Sequence, residues 1–175
     1  MNFQCSWDST VISITAITSV VVLSVAIMFL VKMVHYKRNE EKLYAGGCLL
    51  GAVLSIIALS FPALYTPLSV SVKDKTIQIH RIVGNIVIPF NEIAEIRRTD
   101  ASDTKNSTRK FGSGGDFGYL GKFSSSQLGN YQMYATDASK RILVKNNKGE
   151  CLIFSCDRPE ELLKMVNSVI PTIPR

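Results

Sequence analysis

The chain has 175 residues, 46% of them hydrophobic, and a formal net charge of +6. That length holds one domain and a little more. Its two histidines, at 35 and 80, and four cysteines, at 5, 48, 151 and 156, stand at no metal-ligand spacing, and no basic helix or aromatic RNA-binding signature points to nucleic acid.

The first ten residues, MNFQCSWDST, form an N-terminal tail without Lys or Arg. Residues 11–31 then run without a charge, and so do residues 43–65. A hydrocarbon core of ~30 Å needs ~20 helical residues, so both runs are long enough to span it. Neither leaves a polar face for water, which argues against buried helices of a soluble protein. A cleaved leader fits the first run poorly, since its basic n-region is missing and the run exceeds the usual ~7–15 apolar residues. The expectation is a two-helix transmembrane hairpin, an integral two-pass anchor among membrane lipids.

The connection, residues 32–42, carries Lys32, Lys37, Arg38 and Lys42. The positive-inside bias places it in the cytoplasm and the rest of the chain outside. Lys73, Lys75 and Arg81 follow the second run closely enough to count the other way, so a cytoplasmic domain stays open as the alternative. Gly47, Gly51 and Ser55 recur every fourth residue and make a stripe where helices approach closely. The stripe packs either on the first helix of the hairpin or on a second copy of the chain. Trp7, Tyr36, Tyr44 and Tyr65 stand where interfacial aromatic anchors belong.

Beyond residue 66 the chain carries 16 Lys and Arg against 11 Asp and Glu. A basic domain held near a bilayer meets anionic headgroups favourably. Period-two patterning dominates it: LSVSV (68–72), TIQIH (76–80), GNIVIP (84–89), EIAEIRRT (92–99), NYQMYAT (130–136), RILVK (141–145) and ECLIFSC (150–156). About seven short antiparallel strands suggest a small barrel or sandwich. Asp157 with Glu160 then reads as a capping box. It opens a helix whose face is Leu162, Leu163, Val166, Val169 and Ile170, stopped by Pro171. The fold class expected is an α+β domain behind a helical hairpin.

Between the fourth and fifth of these strands lies RKFGSGGDFGYLGKF, residues 109–123. Three nucleotide motifs fail on it. A P-loop would need Ser or Thr after Gly121-Lys122 and Gly in place of Asp116; a dinucleotide fingerprint from Gly112 would need Gly at Phe117. Asp116-Phe117-Gly118 spells the kinase magnesium motif, but the strand lysine and catalytic loop are missing. Phe111, Phe117, Tyr119 and Phe123 either plug the barrel from a folded-back loop, or meet the bilayer or a partner together with Arg109, Lys110 and Lys122.

No catalytic residue, metal ligand or cofactor site is expected. Cys151 and Cys156 flank one strand, about 16 Å apart if extended, too far for a disulfide. A catalytic reading would require Asp103, Asp116 and Asp137 to converge.

The order of elements matches the pleckstrin-homology (PH) topology. IPFNEIAEI (88–96), FGSGGDFGYLGKF (111–123), LGNYQMYAT (128–136), ILVK (142–145) and FSCDRPEELL (154–163) resemble the bacterial PH-domain family of small membrane proteins. The resemblance covers roughly residues 68–171. It implies a PH-like fold and a setting in the bacterial inner (cytoplasmic) membrane, and it implies no activity. Eukaryotic PH domains hold phosphoinositide headgroups with cations on the first hairpin, where Lys73, Lys75 and Arg81 are the counterparts here. The functional expectation is a non-catalytic binding module for lipid or protein. An oligomerising membrane scaffold is the alternative, and an enzyme with an unrecognised site a remote one.

Overall fold

The structure is a computed structural model and describes residues 1–169. Two long helices, α1 (Ser9–Arg38) and α2 (Lys42–Leu64), form an antiparallel hairpin. At 1.5 Å per residue they reach about 45 and 35 Å, enough to cross a bilayer core. Asp8 caps α1, its Oδ1 accepting from the Val11 N–H over 2.7 Å. The helices meet through small residues: Ala26, Ala45 and Ala52 are buried, and Gly51 lies under the Phe29 ring. Large apolar side chains such as Ile17, Val20, Leu50 and Leu54 project outward.

A strand-rich domain follows, with two sheets and a C-terminal helix. The first sheet orders β1 (Asn2–Gln4), β2 (Pro67–Lys73), β3 (Thr76–Arg81) and β4 (Ile86–Pro89). The second contains β5 (Ile93–Arg98), β6 (Thr108–Gly114), β7 (Tyr119–Ser125), β8 (Gly129–Ala135), β9 (Arg141–Asn146) and β10 (Cys151–Ser155), in the order β5-β9-β10-β8-β7-β6. Helix α3 (Pro159–Val169) completes the described chain. The β2–β3 turn has positive φ at both Asp74 and Lys75, the type I′ geometry that matches strand twist.

The expected α+β fold class stands, with three details corrected. Beyond residue 66 the described residues form nine strands rather than about seven, joined by β1 from the tail. Of the barrel and sandwich alternatives no closed barrel forms, since the strands lie in two sheets. One neighbour pair, β8 with β10, is parallel, because the β9–β10 hairpin folds back and inserts β10 between β8 and β9. The tail is not separate from the domain. Phe3 pairs with Val70 across β1 and β2 and is 1% exposed. At its other edge the tail is bonded to the end of β10: the Asp157 N–H donates to Gln4 O over 2.9 Å, and Cys5 Sγ to Ser155 O. The tail therefore bridges the two sheets.

This also changes the start of α3. The Asp157 carboxylate, expected to cap the helix, accepts instead from Ser6 N–H, Ser6 Oγ and Lys140 Nζ. Leu162, Leu163 and Val166 reach the core, whereas Val169 lies at the helix end and is exposed. Ile170 and Pro171 lie outside the described residues.

The main core sits between the sheets and α3 and includes Val70, Ile77, Ile79, Phe154 and Leu162. A second cluster, with Tyr131, Met133, Leu143 and Ile153, covers the opposite face of the larger sheet. Adjacent residues alternate between the two, Ile142 to one and Leu143 to the other. Burial on both faces explains why ILV and LIF are continuous apolar runs. Segment 99–107 folds over the second cluster: Ser125 Oγ donates to Asp103 O, and Ser107 bonds the Tyr131 hydroxyl. Arg97 pins that segment with a two-pronged ion pair to Asp103, at 2.7 and 2.8 Å. The pair holds the Asp103 carboxyl below its usual range.

Candidate functional site

The most unusual part of the sequence, residues 109–123, is a β-hairpin rather than a folded-back loop. Glycine disfavours strands unless backbones must approach closely, and here they do. Gly112 and Gly121 are cross-strand partners. A Cβ on Gly112 would lie 1.9 Å from Leu120 O, and one on Gly121 would lie 2.2 Å from Phe111 O. No side chain fits at either position.

The hairpin tip docks on the helices. The Phe117 N–H donates to Thr15 Oγ1 on α1 over 2.8 Å, and Phe117 O accepts from Thr66 Oγ1, just past α2, over 3.0 Å. One aromatic residue thus ties its backbone to both helices, at a φ of 55°. Its ring meets Trp7 edge-on, with centroids 5.9 Å apart. Gly115 packs so closely that a Cβ would lie 2.6 Å from Ile14 Cδ1. Further ties come from Asp8, whose N–H donates to Thr136 O and whose Oδ2 accepts from Ala138 N–H. The Val83 N–H bonds Leu64 O. Only Tyr65 and Thr66 separate α2 from β2. The domain therefore sits directly on the helix ends.

Beside this docking point lies a cavity of about 620 Å³ between the last turn of α2 and the β6–β7–β8 sheet. Phe61, Pro62 and Tyr65 form one wall; Phe111, Leu120 and Tyr134 form the other. The sheet wall is a consequence of register: Ser113, Leu120 and Tyr134 are successive cross-strand partners, so their side chains share a face. Arg109 and Lys122 line the same cavity. Arg81 stands behind it, its guanidinium 4.7 Å from the Tyr134 ring centroid and 5.6 Å from that of Tyr65. Among the described residues, none of these three cations has a carboxylate within ion-pair distance. Asp116 also lines the cavity; burial pushes its carboxyl up, and its Oδ1 is buried without a partner.

The sequence candidates separate into distinct places. Arg109 and Lys122 reach the cavity. Lys110 bonds Asn130 Oδ1 instead. Tyr119 lies against the second core cluster, with the Arg141 guanidinium 4.5 Å from its ring centroid. Of the first-hairpin cations, Arg81 pairs with Pro67 at the helix end of the sheet. Lys73 and Lys75 flank the far turn, about 20 Å along the strand. On α2, a Cβ added to Gly47 would meet no neighbour within 4 Å, and Ser55 Oγ bonds Gly51 O within its own helix.

Phe61, Tyr134, Thr15 and Thr66 carry the site and were not singled out from sequence. Tyr65 was read only as an interfacial anchor. Alternation in LGNYQMYAT does place Tyr134 opposite the Tyr131 and Met133 face, but nothing local says that α2 ends beside it.

Asp103, Asp116 and Asp137 do not share partners: the first pairs with Arg97, the last with Ser139 and Lys140. Among the described residues no group of three His, Cys, Asp or Glu could hold a metal ion. Burial pushes the Cys5 thiol up to about 12 and the Cys156 thiol up to about 11, so neither is an activated nucleophile.

A family model described as a bacterial PH domain matches residues 68–170. No curated protein and no solved structure matches the chain. With the match covering more than half of its length, the chain belongs to the bacterial PH-domain family.

Proposed function

We propose that this protein is a two-pass membrane protein whose PH-like domain is a non-catalytic binding module held against the bilayer surface. The observation that carries the reading is what gathers at the helix end of the domain. Exposed Trp7, Phe61, Ile82, Val83 and Phe111 lie on elements that begin, end or dock there. So do Arg81, Arg109 and Lys122, which among the described residues have no carboxylate within ion-pair distance. Apolar groups with interspersed cations suit the headgroup boundary of an anionic membrane. Both helices are apolar enough to span the bilayer and leave their large side chains outward. The charged connection at Lys32, Lys37, Arg38 and Lys42 favours a cytoplasmic loop, with the domain on the opposite face of the inner membrane.

Cysteine labelling in intact cells tests the arrangement. Ser102 is exposed on the domain surface, and three of the four native cysteines are buried. A membrane-impermeant maleimide should label Ser102→Cys in intact cells and Glu40→Cys only after lysis. The reverse pattern would put the domain in the cytoplasm. Release of the protein from membranes by alkaline carbonate would remove the membrane reading itself.

A further inference from the structure

We infer that the cavity between α2 and the β6–β7–β8 sheet binds one anionic phospholipid from the leaflet facing the domain, resting on the membrane placement proposed above. Its volume of about 620 Å³ falls in the range of small-molecule sites, ~300–1,000 Å³. Three observations select the occupant. Phe61 and Pro62 belong to the last turn of a membrane-length helix, so the cavity opens at the height where the apolar span ends. The walls from Phe61, Phe111 and Leu120 suit the glycerol and first acyl carbons, which a free inorganic anion would not use. Arg109 and Lys122 supply positive charge with no carboxylate of the described chain within ion-pair distance, and Arg81 stands behind the Tyr65 and Tyr134 rings. Among the described residues, Asp116 is the one carboxyl lining the cavity.

The site is distinct from the first-hairpin cations Lys73 and Lys75, which lie at the opposite end of the smaller sheet. A lipid held here would also touch the hairpin whose tip ties α1 to α2. The domain would then sit on its anchor most firmly in an anionic leaflet.

The test uses full-length protein in a neutral detergent, with thermal unfolding followed during titration with phosphatidylglycerol, phosphatidylcholine or sodium phosphate. Phosphatidylglycerol should raise the midpoint, and the other two should leave it unchanged. The double variant Arg109→Gln/Lys122→Gln, at exposed positions, should weaken the apparent affinity roughly 30-fold. Phe111→Gln should weaken it without changing the lipid-free midpoint. Lys110→Gln, whose side chain is bonded to Asn130 outside the cavity, should bind as the parent does. An equal shift with phosphatidylcholine, a shift with phosphate alone, or equal losses in the Lys110 and Arg109/Lys122 variants would overturn the inference. Carbonate extraction separates the two levels. Protein that stays in the pellet yet shows no phosphatidylglycerol preference sinks only the cavity site, whereas protein that is released sinks the membrane placement with it.

Discussion

The Phe117 N–H and the Thr15 hydroxyl, 102 residues apart, form a 2.8 Å hydrogen bond that joins the glycine-rich hairpin to the first helix. Thr15 is a polar residue in an apolar helix and is buried, so its hydroxyl has a specific use. Thr15→Val keeps the shape and leaves the Phe117 amide without its partner, a loss of about 1–3 kcal/mol. The expected outcome is faster hydrogen exchange at the Phe117 amide, by about tenfold to a hundredfold, with most of the domain unchanged. Thr15→Ser retains the donor's acceptor and should stay protected. Unchanged exchange in Thr15→Val would mean that the hairpin is held by its packing alone.

Phe3 makes the tail part of the fold. It is fully buried against Val70, and the Arg158 guanidinium lies 5.2 Å from its ring centroid. Phe3→Ala should destabilise the domain by about 3–5 kcal/mol, the usual cost of emptying a large core position. A fragment of residues 67–175 should therefore fold poorly, although it contains the whole family match. Fusing residues 1–8 to it through a flexible linker should restore a cooperative transition in denaturant. Equal stability of the two fragments would show that β1 is dispensable.

Both contacts join residues far apart in sequence, beyond the reach of local patterning. The helices and seven of the strands were legible because hydrophobic run length and period-two alternation are local signals. Phe3 and Cys5 alternate as well, but three strand residues give too short a pattern to distinguish from a polar tail. The hairpin at 108–125 was hidden because its glycines argue against strand locally. Their reason, the close approach of Gly112 and Gly121, exists only once the strands are paired. Asp157 was a sound capping residue on local rules, and Ser6, distant in sequence, engages its carboxylate instead. The cavity had the same problem: Arg109 and Lys122 were visible as cations, but Phe61 and Tyr134 join them only through tertiary placement.

Asp116 provides a pH signature for the cavity. Burial raises its carboxyl above the ordinary value of 3.8, and no partner satisfies Oδ1. Between the unfolded pKa and the raised folded one, the folded chain holds more protons than the unfolded chain. Stability from this group is therefore full below the unfolded pKa and falls as pH rises through the folded one. Asp103, held low by its bonds to Arg97, acts in the opposite sense, losing stability as pH falls below the ordinary carboxylate range. The Asp103 contribution is common to parent and variant and cancels when the two are compared. Asp116→Asn should then melt above the parent at pH 7, with the difference shrinking towards zero as the pH falls below about 4. Removing the carboxylate should also strengthen phosphatidylglycerol binding at neutral pH, because ionised Asp116 would face the lipid's charge across a poorly hydrated space. A difference in melting temperature that does not vary with pH would show that Asp116 is hydrated, and would take the buried acid out of the site.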